Sequence, residues 1–271
     1  MTMKGITFTA FPGGKRKALT FSFDDGTLED RRLTAIFNKN GLKGTFNLNS
    51  AVFGNKMKYR EVYRLKEDEI AEVYKGHEIA CHGDNHTTLS FLGDQSTVTS
   101  VIKDREALER ICGYPVRGMA YPSTDHRPFQ KEILRACGIE YCRNTTSTMR
   151  FSYPADPFDW EPTCHYTEAM PLAERFVCEP RPGKLFYIWG HSFEIEERND
   201  WDCVEKLCSL LGGRSDVWYA TNIEIIDYLN ALSSLKATVD EKIIYNPTAY
   251  ELWFGLGGEV VSLKSGETLR V

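Results

Sequence analysis

The alternation of short β-rich runs with helical patterns is the sequence feature that most constrains the fold of this chain. The runs have the apolar composition of buried strands, and several helical segments end at a glycine, such as Gly41 and Gly76. Such alternation favours parallel strands joined by crossover helices over separate helical and sheet regions. The predicted strands are 18–25, 44–49, 77–83, 116–122, 139–145, 184–191 and 217–222. The predicted helices are 29–40, 66–75, 97–112, 127–137, 167–178, 200–211 and 223–232.

Seven strands separated by helices predict an α/β protein with a seven-stranded parallel (β/α) barrel over residues 1–234. After Ser233 the pattern changes to period-two runs that are broken by Gly and Pro, which is typical of antiparallel hairpins. We therefore expect a small C-terminal antiparallel β appendage over residues 235–271. A unit of that size is too small to fold stably alone, so it should pack on the barrel.

Composition and charge exclude several classes of protein. The formal net charge is -5 and the chain has no dense basic block, so we expect no nucleic-acid partner. No segment has the 18 or so consecutive apolar residues of a membrane span, and the N-terminus lacks the apolar core of a signal peptide. The 8 cysteines form no C-x-x-C pair and are expected to be reduced thiols. We expect a cytoplasmic protein, and the sequence leaves the oligomeric state open.

Polar, mostly ionisable residues follow the ends of several predicted strands. Asp24 and Asp25 end the first strand, and His82 ends the third. Arg143 lies late in the fifth strand, and His191 ends the sixth. Because parallel barrels place their reacting groups at the carboxyl ends of strands, we expect these side chains to lie at one site.

Two of these segments have the residue types of a metal site. His82 and His86 are four residues apart, which puts both imidazoles on one side of a helical turn, as a divalent metal requires. A carboxylate from Asp24 or Asp25 would complete a set of two histidines and one carboxylate with open positions for water and substrate. Taken singly, an Asp-Asp-Gly turn in solvent and two unrelated surface histidines explain these residues equally well.

Aromatic residues accompany the fifth and sixth strands. Trp160 closes the loop segment 156–160, and Trp189 lies two residues before His191. Both tryptophans are also compatible with an ordinary core position, and His191 with a hydrogen-bonded histidine at a strand end. Together they indicate a second catalytic group beside an aromatic wall.

Over residues 17–230 the chain resembles the polysaccharide deacetylase family, the NodB-homology carbohydrate esterases. The family motifs occur here in order as Phe23-Asp24-Asp25-Gly26, His82-x-x-x-His86, Asp156-x-x-Asp159-Trp160 and Ile188-x-x-His191. In the second motif this chain has Gly83 where the family usually has Ser or Thr. The resemblance implies a distorted barrel of alternating strands and helices.

The resemblance also implies a role for each matched residue. Asp24 would be the general base and His191 the general acid. Asp159 would orient and charge His191, and Trp160 would line the acetyl pocket, beside Trp189. The metal ligands would be Asp25, His82 and His86.

The third motif departs from the family pattern. Many relatives have an Arg-Pro-Pro-Tyr type of run, whereas this chain has Ala120 at the arginine position, followed by Tyr121 and, two residues later, Ser123. We expect Tyr121 and Ser123 to face the substrate, with a backbone N–H near Ser123 holding the oxyanion. Arg143 is the candidate to replace the missing arginine beside the base, and Arg117 is the alternative.

These interpretations predict a metal-dependent hydrolase that removes N- or O-linked acetyl groups from an acetylated oligosaccharide or polysaccharide. Zinc is the expected ion, with cobalt, nickel and manganese as alternatives. A rival reading is an amide hydrolase of the same fold that acts on a cyclic imide or formamide. Another is a carbohydrate-binding pseudoenzyme without catalysis.

Overall fold

The computed structural model describes residues 5–123 and 125–271. The strands within these residues are β1 (Ile6–Thr7), β2 (Lys17–Asp24), β3 (Gly44–Leu48), β4 (Glu78–Cys81), β5 (Gly118–Ala120), β6 (Tyr141–Arg143), β7 (Cys164–His165), β8 (Lys184–Gly190), β9 (Val217–Tyr219), β10 (Lys236–Ala237), β11 (Ile243–Tyr245), β12 (Leu252–Leu256), β13 (Glu259–Leu263) and β14 (Thr268–Arg270). The α-helices are α1 (Asp30–Lys39), α2 (Glu67–Val73), α3 (Asp94–Cys112), α4 (Gln130–Ala136), α5 (Ala169–Cys178), α6 (Ser192–Arg198), α7 (Trp201–Leu211) and α8 (Asn222–Ser233).

β2 is the central strand of an 8-stranded sheet in which every pairing is parallel. The order is β6-β5-β4-β3-β2-β8-β7, and β9 pairs with the first residues of β2. All eight residues of β2 are buried, because the strand has neighbours on both sides and is covered on both faces. The predicted α/β class is confirmed, and each of the seven predicted strands overlaps an observed one.

The segment 160–165 links the two edges of this sheet. At one end Trp160 N donates to Cys142 O at 3.0 Å and Asn144 N donates to Trp160 O at 3.1 Å, so the segment lies along β6. At the other end it continues into β7, which pairs with β8. Such a link curls the sheet into a distorted barrel whose strand ends face a common centre.

Two elements of the barrel were not predicted. β7 has only two residues, too few for a periodic pattern. α6 begins at Ser192, immediately after β8 and His191, and spans seven residues of strongly acidic sequence. A helix this short draws its stability from tertiary packing, so its sequence carries little signal.

Two small antiparallel sheets lie outside the barrel, with strand orders β1-β12-β13 and β10-β11-β14. β1 comes from the beginning of the chain, whereas the predicted appendage contains only residues 235–271. Leu252, Phe254 and Leu263 are buried in one cluster with Phe11 and Tyr228. The appendage therefore packs on the barrel through apolar side chains, and it includes a strand from the N-terminal segment.

No helix within residues 5–123 and 125–271 is long and apolar enough to cross a lipid bilayer. The eight cysteines are free thiols, most of them buried.

Candidate metal and catalytic site

The parallel register brings the predicted site residues to one level of the barrel. Phe23 is paired with Gly190, so Asp24 and His191 follow their strands at the same height. Leu48 is paired with Cys81, so His82 lies at that level as well. The carboxyl ends of the strands thus form a single shallow site, as the barrel rule requires.

Uncommon backbone conformations form the rim of this site. Asp25 has φ 78° and His86 has φ 62°, both in the left-handed region that non-glycine residues seldom occupy. At Gly26, with φ 63°, a Cβ atom would lie 2.8 Å from Leu48 Cδ2, so the turn after β2 requires glycine. Such conformations cost free energy and are often found at functional sites.

Three histidines each lie within 4 Å of at least one of two adjacent aspartates. His86 Nε2 lies 3.7 Å from Asp25 Oδ1, and His82 Nε2 lies 3.9 Å from Asp24 Oδ2. His191 Nε2 lies 3.8 Å from Asp24 Oδ2 and 4.0 Å from Asp25 Oδ2. These groups come from the ends of three different strands, so only the folded barrel assembles them.

Asp24 lies in a buried, positively charged environment. Arg143, which is fully buried, donates from Nη2 to Asp24 Oδ2, and Asn47 Nδ2 donates to Asp24 Oδ1 at 2.8 Å. Burial by itself would raise the pKa of Asp24, but the charge of Arg143 and its hydrogen bond to the carboxylate, together with the charge of His191, outweigh burial and lower this pKa to about 2. Asp24 is therefore ionised throughout the neutral range.

The donor set of Asp25, His82 and His86 fits a divalent metal. One ligand atom from each residue lies within 4.8 Å of the others. His82 Nδ1 lies 2.9 Å from Ala120 O, which leaves Nε2 directed at the aspartates. Burial lowers the pKa of His82 to about 4, so its imidazole is neutral, the form that ligates metals. Two imidazoles and one carboxylate are donors that zinc accepts.

Arg117, the alternative to Arg143, lies elsewhere. Its guanidinium donates to Asp227 at 2.7 Å and 2.8 Å and to Glu140 at 2.9 Å. Arg117 precedes β5 and Glu140 precedes β6, so both lie at the amino ends of the strands, opposite the site. Arg143 reaches Asp24 across the barrel interior, because β6 and β2 are not neighbours in the sheet.

Glu194 is the carboxylate in contact with the second nitrogen of His191. Glu194 Oε2 lies 3.3 Å from His191 Nδ1 and accepts a hydrogen bond from His165 Nε2 at 2.9 Å. Asp159, predicted to contact His191, accepts instead from Asn144 Nδ2 at 2.7 Å and from Lys131 Nζ at 3.1 Å.

The four residues predicted to bind substrate lie in different surroundings. Trp160 is fully buried and packs against the rings of Tyr141 and Tyr187. Tyr121 is also buried, and its hydroxyl donates to Phe158 O at 2.7 Å. Trp189 is partly exposed and contacts the ring of His191 at a centroid distance of 5.6 Å. Ser123 is exposed, with φ 63°.

Sequence reasoning missed Asn47 and Glu194. Asn47 is a polar residue inside a predicted apolar strand, which is itself an indication of a buried hydrogen bond. Glu194 follows His191 by three residues, a spacing that places the two side chains on one side of a helical turn. That signal depends on knowing that a helix begins at Ser192.

Comparison with known proteins agrees with the fold. Residues 12–142 match the family model described as polysaccharide deacetylase. A chitin deacetylase from Arthroderma benhamiae is 41% identical over 76 residues, which are 27% of this chain and 19% of that protein. The matched segment is thus about a fifth of the length of this curated relative.

Solved structures share the architecture at low identity. A protein from Mycobacterium smegmatis described as a polysaccharide deacetylase superposes with a TM-score of 0.61 at 16% identity, covering 86% of this chain and 96% of that one. The Puue allantoinase gives 0.58 at 13% identity, covering 80% and 91%. A family 4 acetyl xylan esterase from Clostridium thermocellum gives 0.52 at 15% identity, covering 78% and 90%.

The fold is the NodB-type (β/α) barrel, and its strand ends assemble the site. Over residues 12–142, just under half of its length, the chain is similar to the polysaccharide deacetylase family.

Proposed function

We propose that this protein is a divalent-metal-dependent hydrolase that removes N- or O-linked acetyl groups from a carbohydrate. The observation that carries the proposal is that His82, His86 and His191 each lie within 4 Å of Asp24 or Asp25 at the strand ends. This set contains a metal-ligand group, an ionised carboxylate and an imidazole outside the ligand group, which are the components of acyl hydrolysis.

Asp25, His82 and His86 would hold the metal, with zinc as the first expectation and cobalt, nickel or manganese as alternatives. When bound, a divalent ion supplies Lewis acidity to the acetyl carbonyl and lowers the pKa of water at the site. The solved acetyl xylan esterase with the same fold is in complex with a cobalt ion, which supports the proposal of a metal in this protein.

Asp24 is proposed as the general base. Its carboxylate is ionised because Arg143 and His191 offset the cost of burial. Asn47 and Arg143 hold one oxygen each, so the carboxylate has a fixed orientation. A base that is charged and fixed before the substrate arrives requires little reorganisation during proton transfer.

His191 is proposed as the general acid. Its Nε2 atom faces Asp24 and Asp25 from the opposite side of the site to His82 and His86. Burial would lower its pKa, but the contact with Glu194 and the charge of Asp24 raise it above the ordinary value. A protonated imidazole at this place can protonate the leaving amine or sugar oxygen.

Trp189 is an aromatic side chain beside this acid, with ring centroids 5.6 Å apart. It is partly exposed beside His191, whereas Trp160 and Tyr121 are buried. We therefore propose that Trp189 contacts the substrate directly, and that Trp160 and Tyr121 support the site from the core beneath it. Ser123 is exposed, as a residue that presents its backbone N–H to an oxyanion must be.

An acetate-release assay tests the proposal. The purified protein is incubated with acetylated xylan, chitooligosaccharides, peptidoglycan fragments, acetylated monosaccharides and a cyclic imide. We expect acetate from at least one carbohydrate, loss of release after chelation, and recovery on adding zinc. Hydrolysis of the imide without acetate release from any carbohydrate would contradict the proposal.

A further inference from the structure

Helix α6 places a carboxylate directly behind the proposed acid. We infer that Glu194 is the positioning residue for His191 and that Asp159 is not. This inference rests on the proposed function, since it concerns how His191 is presented to the substrate. Glu194 follows His191 by one helical turn, and Glu194 N donates to His191 O at 3.2 Å, so the two residues form one local unit.

One carboxylate oxygen serves two imidazoles. Glu194 Oε2 lies 2.9 Å from His165 Nε2 and 3.3 Å from His191 Nδ1. The two histidines lower the pKa of Glu194 well below its ordinary range, despite partial burial, so the group is ionised and can only accept. His165 Nδ1 lies 2.9 Å from Thr167 Oγ1, which fixes the other side of that ring. His165 and Thr167 thus hold Glu194 in place.

This arrangement selects one tautomer of His191. Because the carboxylate of Glu194 is an acceptor only, the nitrogen that faces it, Nδ1, carries the proton. The other nitrogen, Nε2, is then the one presented to Asp24 and Asp25, at 3.8 Å and 4.0 Å. The ring of Trp189 packs edge-on against both His165 and His191, which restricts rotation of the two imidazoles.

Both carboxylate oxygens of Asp159 have hydrogen-bond partners other than His191. Oδ1 accepts from Asn144 and Oδ2 accepts from Lys131, which also pairs with Asp156 at 2.9 Å. Asp159 therefore belongs to a polar network on the loop before β7, and Glu194 has taken the position beside the acid.

The matched pair Glu194→Gln and Asp159→Asn separates the two assignments, because both variants remove one charge and keep the shape. Loss of the carboxylate behind a reactive imidazole is expected to cost roughly 10-fold to 100-fold, as for the groups behind metal-ligating histidines. We expect Glu194→Gln to lower kcat by that factor with little change in KM, Glu194→Asp to recover part of it, and Asp159→Asn to have a smaller effect. A larger loss of kcat in Asp159→Asn than in Glu194→Gln would overturn the inference.

A readout without turnover keeps this inference separate from the proposed function. Nitrogen-15 NMR of histidine-labelled protein, recorded at a pH high enough for His191 to be neutral, reports which ring nitrogen of His191 carries the proton, with His191→Gln used to assign the signals. We expect the Nδ1–H form in the parent and in Asp159→Asn, and a loss of that preference in Glu194→Ala. An unchanged tautomer in Glu194→Ala would overturn the inference even if acetate is released normally.

A basic groove beside the metal ligands carries a second inference, independent of the first. The groove has a volume of about 780 Å³ and extends from His86 along the loop after β3. Its lining residues are Val52, Asn55, Lys56, Met57, Lys58, Tyr59, Arg60, Arg64, Asn85 and His86. Four of these are basic and none is acidic, although the whole chain has a formal net charge of -5. We propose that the substrate carries an anionic group next to the acetylated sugar position.

The groove adjoins the reacting centre directly. Arg64 Nη2 lies 3.4 Å from Asp25 Oδ1, and the buried Nε of Arg64 has no hydrogen-bond partner among the described residues. Tyr59 is 85% exposed, and Lys58 Nζ lies over its ring at 5.0 Å. A sugar can stack on such a ring while its anionic substituent meets the adjacent cations.

Two of the groove cations have exposed acidic partners that do not belong to its lining. Lys56 pairs with Glu61, and Arg60 pairs with Glu197. Exposed ion pairs contribute at most about 1 kcal/mol, so an anionic ligand can replace these glutamates at little cost. A third cation, Arg64, faces the buried Asp25 instead.

A matched substrate pair tests the groove. An acetylated glucuronide and its methyl ester differ in the charge of one carboxyl group and in the one methyl group that removes this charge. We expect the KM of the acid to be roughly 10-fold lower than the KM of the ester. This preference should become smaller in added salt and in the double variant Lys58→Gln/Arg60→Gln. The control is Lys75→Gln, at an exposed position just after the C-terminal end of α2. It should keep the parental ratio of the two KM values. Equal KM values for acid and ester in the parent protein would overturn the proposal.

Calorimetry of D-glucuronate against D-glucose tests the groove without turnover. Tighter binding of D-glucuronate that is lost in the double variant supports an anion subsite whether or not acetate is released. Equal binding of the two sugars contradicts it.

Discussion

The adjacent carboxylates Asp24 and Asp25 have different surroundings because the chain turns between them. Asp24 is the last residue of β2 and points to Arg143 and Asn47. Asp25 has φ 78°, and its Oδ1 atom lies 3.7 Å from His86 Nε2 and 3.4 Å from Arg64 Nη2. These surroundings suit Asp24 for the proposed role of base and Asp25 for the proposed role of metal ligand.

This difference predicts distinct effects of two similar substitutions. Asp24→Asn should keep the bound metal and lose activity by about 100-fold to 10,000-fold, since it removes the base alone. Asp25→Asn should lose metal as well as activity. Elemental analysis and acetate release on the same preparations measure both. Retention of metal in Asp25→Asn together with loss in Asp24→Asn would reverse the assignment.

A second prediction at this scale concerns Arg143, whose guanidinium holds the pKa of Asp24 at about 2. Lysine keeps the charge but cannot copy the planar geometry of the guanidinium. In Arg143→Lys the pKa of Asp24 should rise, so the acid limb of the pH profile should move upward and kcat should fall. Metal content and folding should be unchanged. Arg117→Lys, at the other end of the barrel, is the control, and a larger effect there would contradict the assignment.

At the scale of elements, the barrel strands also enclose a polar network at the end opposite the site. Glu78 at the start of β4 accepts from Tyr141 hydroxyl at 2.8 Å, from Thr45 hydroxyl at 2.8 Å and from Ile223 N at 2.9 Å. The acceptor thus ties β3, β6 and the start of α8 to one carboxyl group. Burial raises the pKa of Glu78 from 4.5 to about 7, although these hydrogen bonds oppose the shift.

The raised pKa of Glu78 predicts a pH-dependent stability. The folded state binds the proton more tightly than the unfolded state, so this contribution is fully present below pH 4.5 and is lost as the pH rises to about 7. Glu78→Gln has no titrating group at this position, so it should not lose stability in this way. Between pH 4.5 and about 7, the free energy of unfolding of the variant relative to the parent should therefore increase by roughly 1 kcal/mol per pH unit. Urea unfolding from pH 4.5 to 8 measures it, with exposed Glu132→Gln as control. A difference that is independent of pH would contradict the prediction.

At the scale of the whole molecule, the small antiparallel sheets are part of the same packed unit as the barrel. Phe254 on β12 is fully buried, and the neighbouring Trp253 N and O both hydrogen-bond to the Tyr228 hydroxyl on α8, at 3.0 Å and 3.1 Å. β1 pairs with β12, so the beginning and the end of the described chain meet on the barrel. The barrel and the appendage share one apolar cluster.

This shared cluster predicts cooperative unfolding. Phe254→Ala should destabilise the protein by about 3 to 5 kcal/mol, the usual cost of removing a buried phenylalanine. The unfolding transitions measured by circular dichroism and by tryptophan fluorescence should coincide, because the barrel and the appendage unfold together. Phe8→Ala, at a 41% exposed position, is the control. Two separate transitions would show that the appendage unfolds independently.

Much of the barrel could be predicted because its signals are local. Buried strands such as Lys17–Asp24 are read from short apolar runs, and helices such as Asp94–Cys112 from length and end residues. The two-residue β7 and the seven-residue α6 have too few residues for a periodic signal. The pairing of β1 with β12 joins residues about 250 apart in sequence, a contact that no local pattern specifies.

The sequence by itself determined the identity and order of the chemical groups: Asp24-Asp25, His82-x-x-x-His86 and His191, each at a strand end. The tertiary structure decided which groups meet. Arg143 reaches Asp24 across the interior of a curled sheet, and Glu194, not Asp159, contacts His191. The physical reason is that strand-end positions follow from local composition, whereas side-chain contacts depend on the curl of the sheet and on a short helix that only packing stabilises.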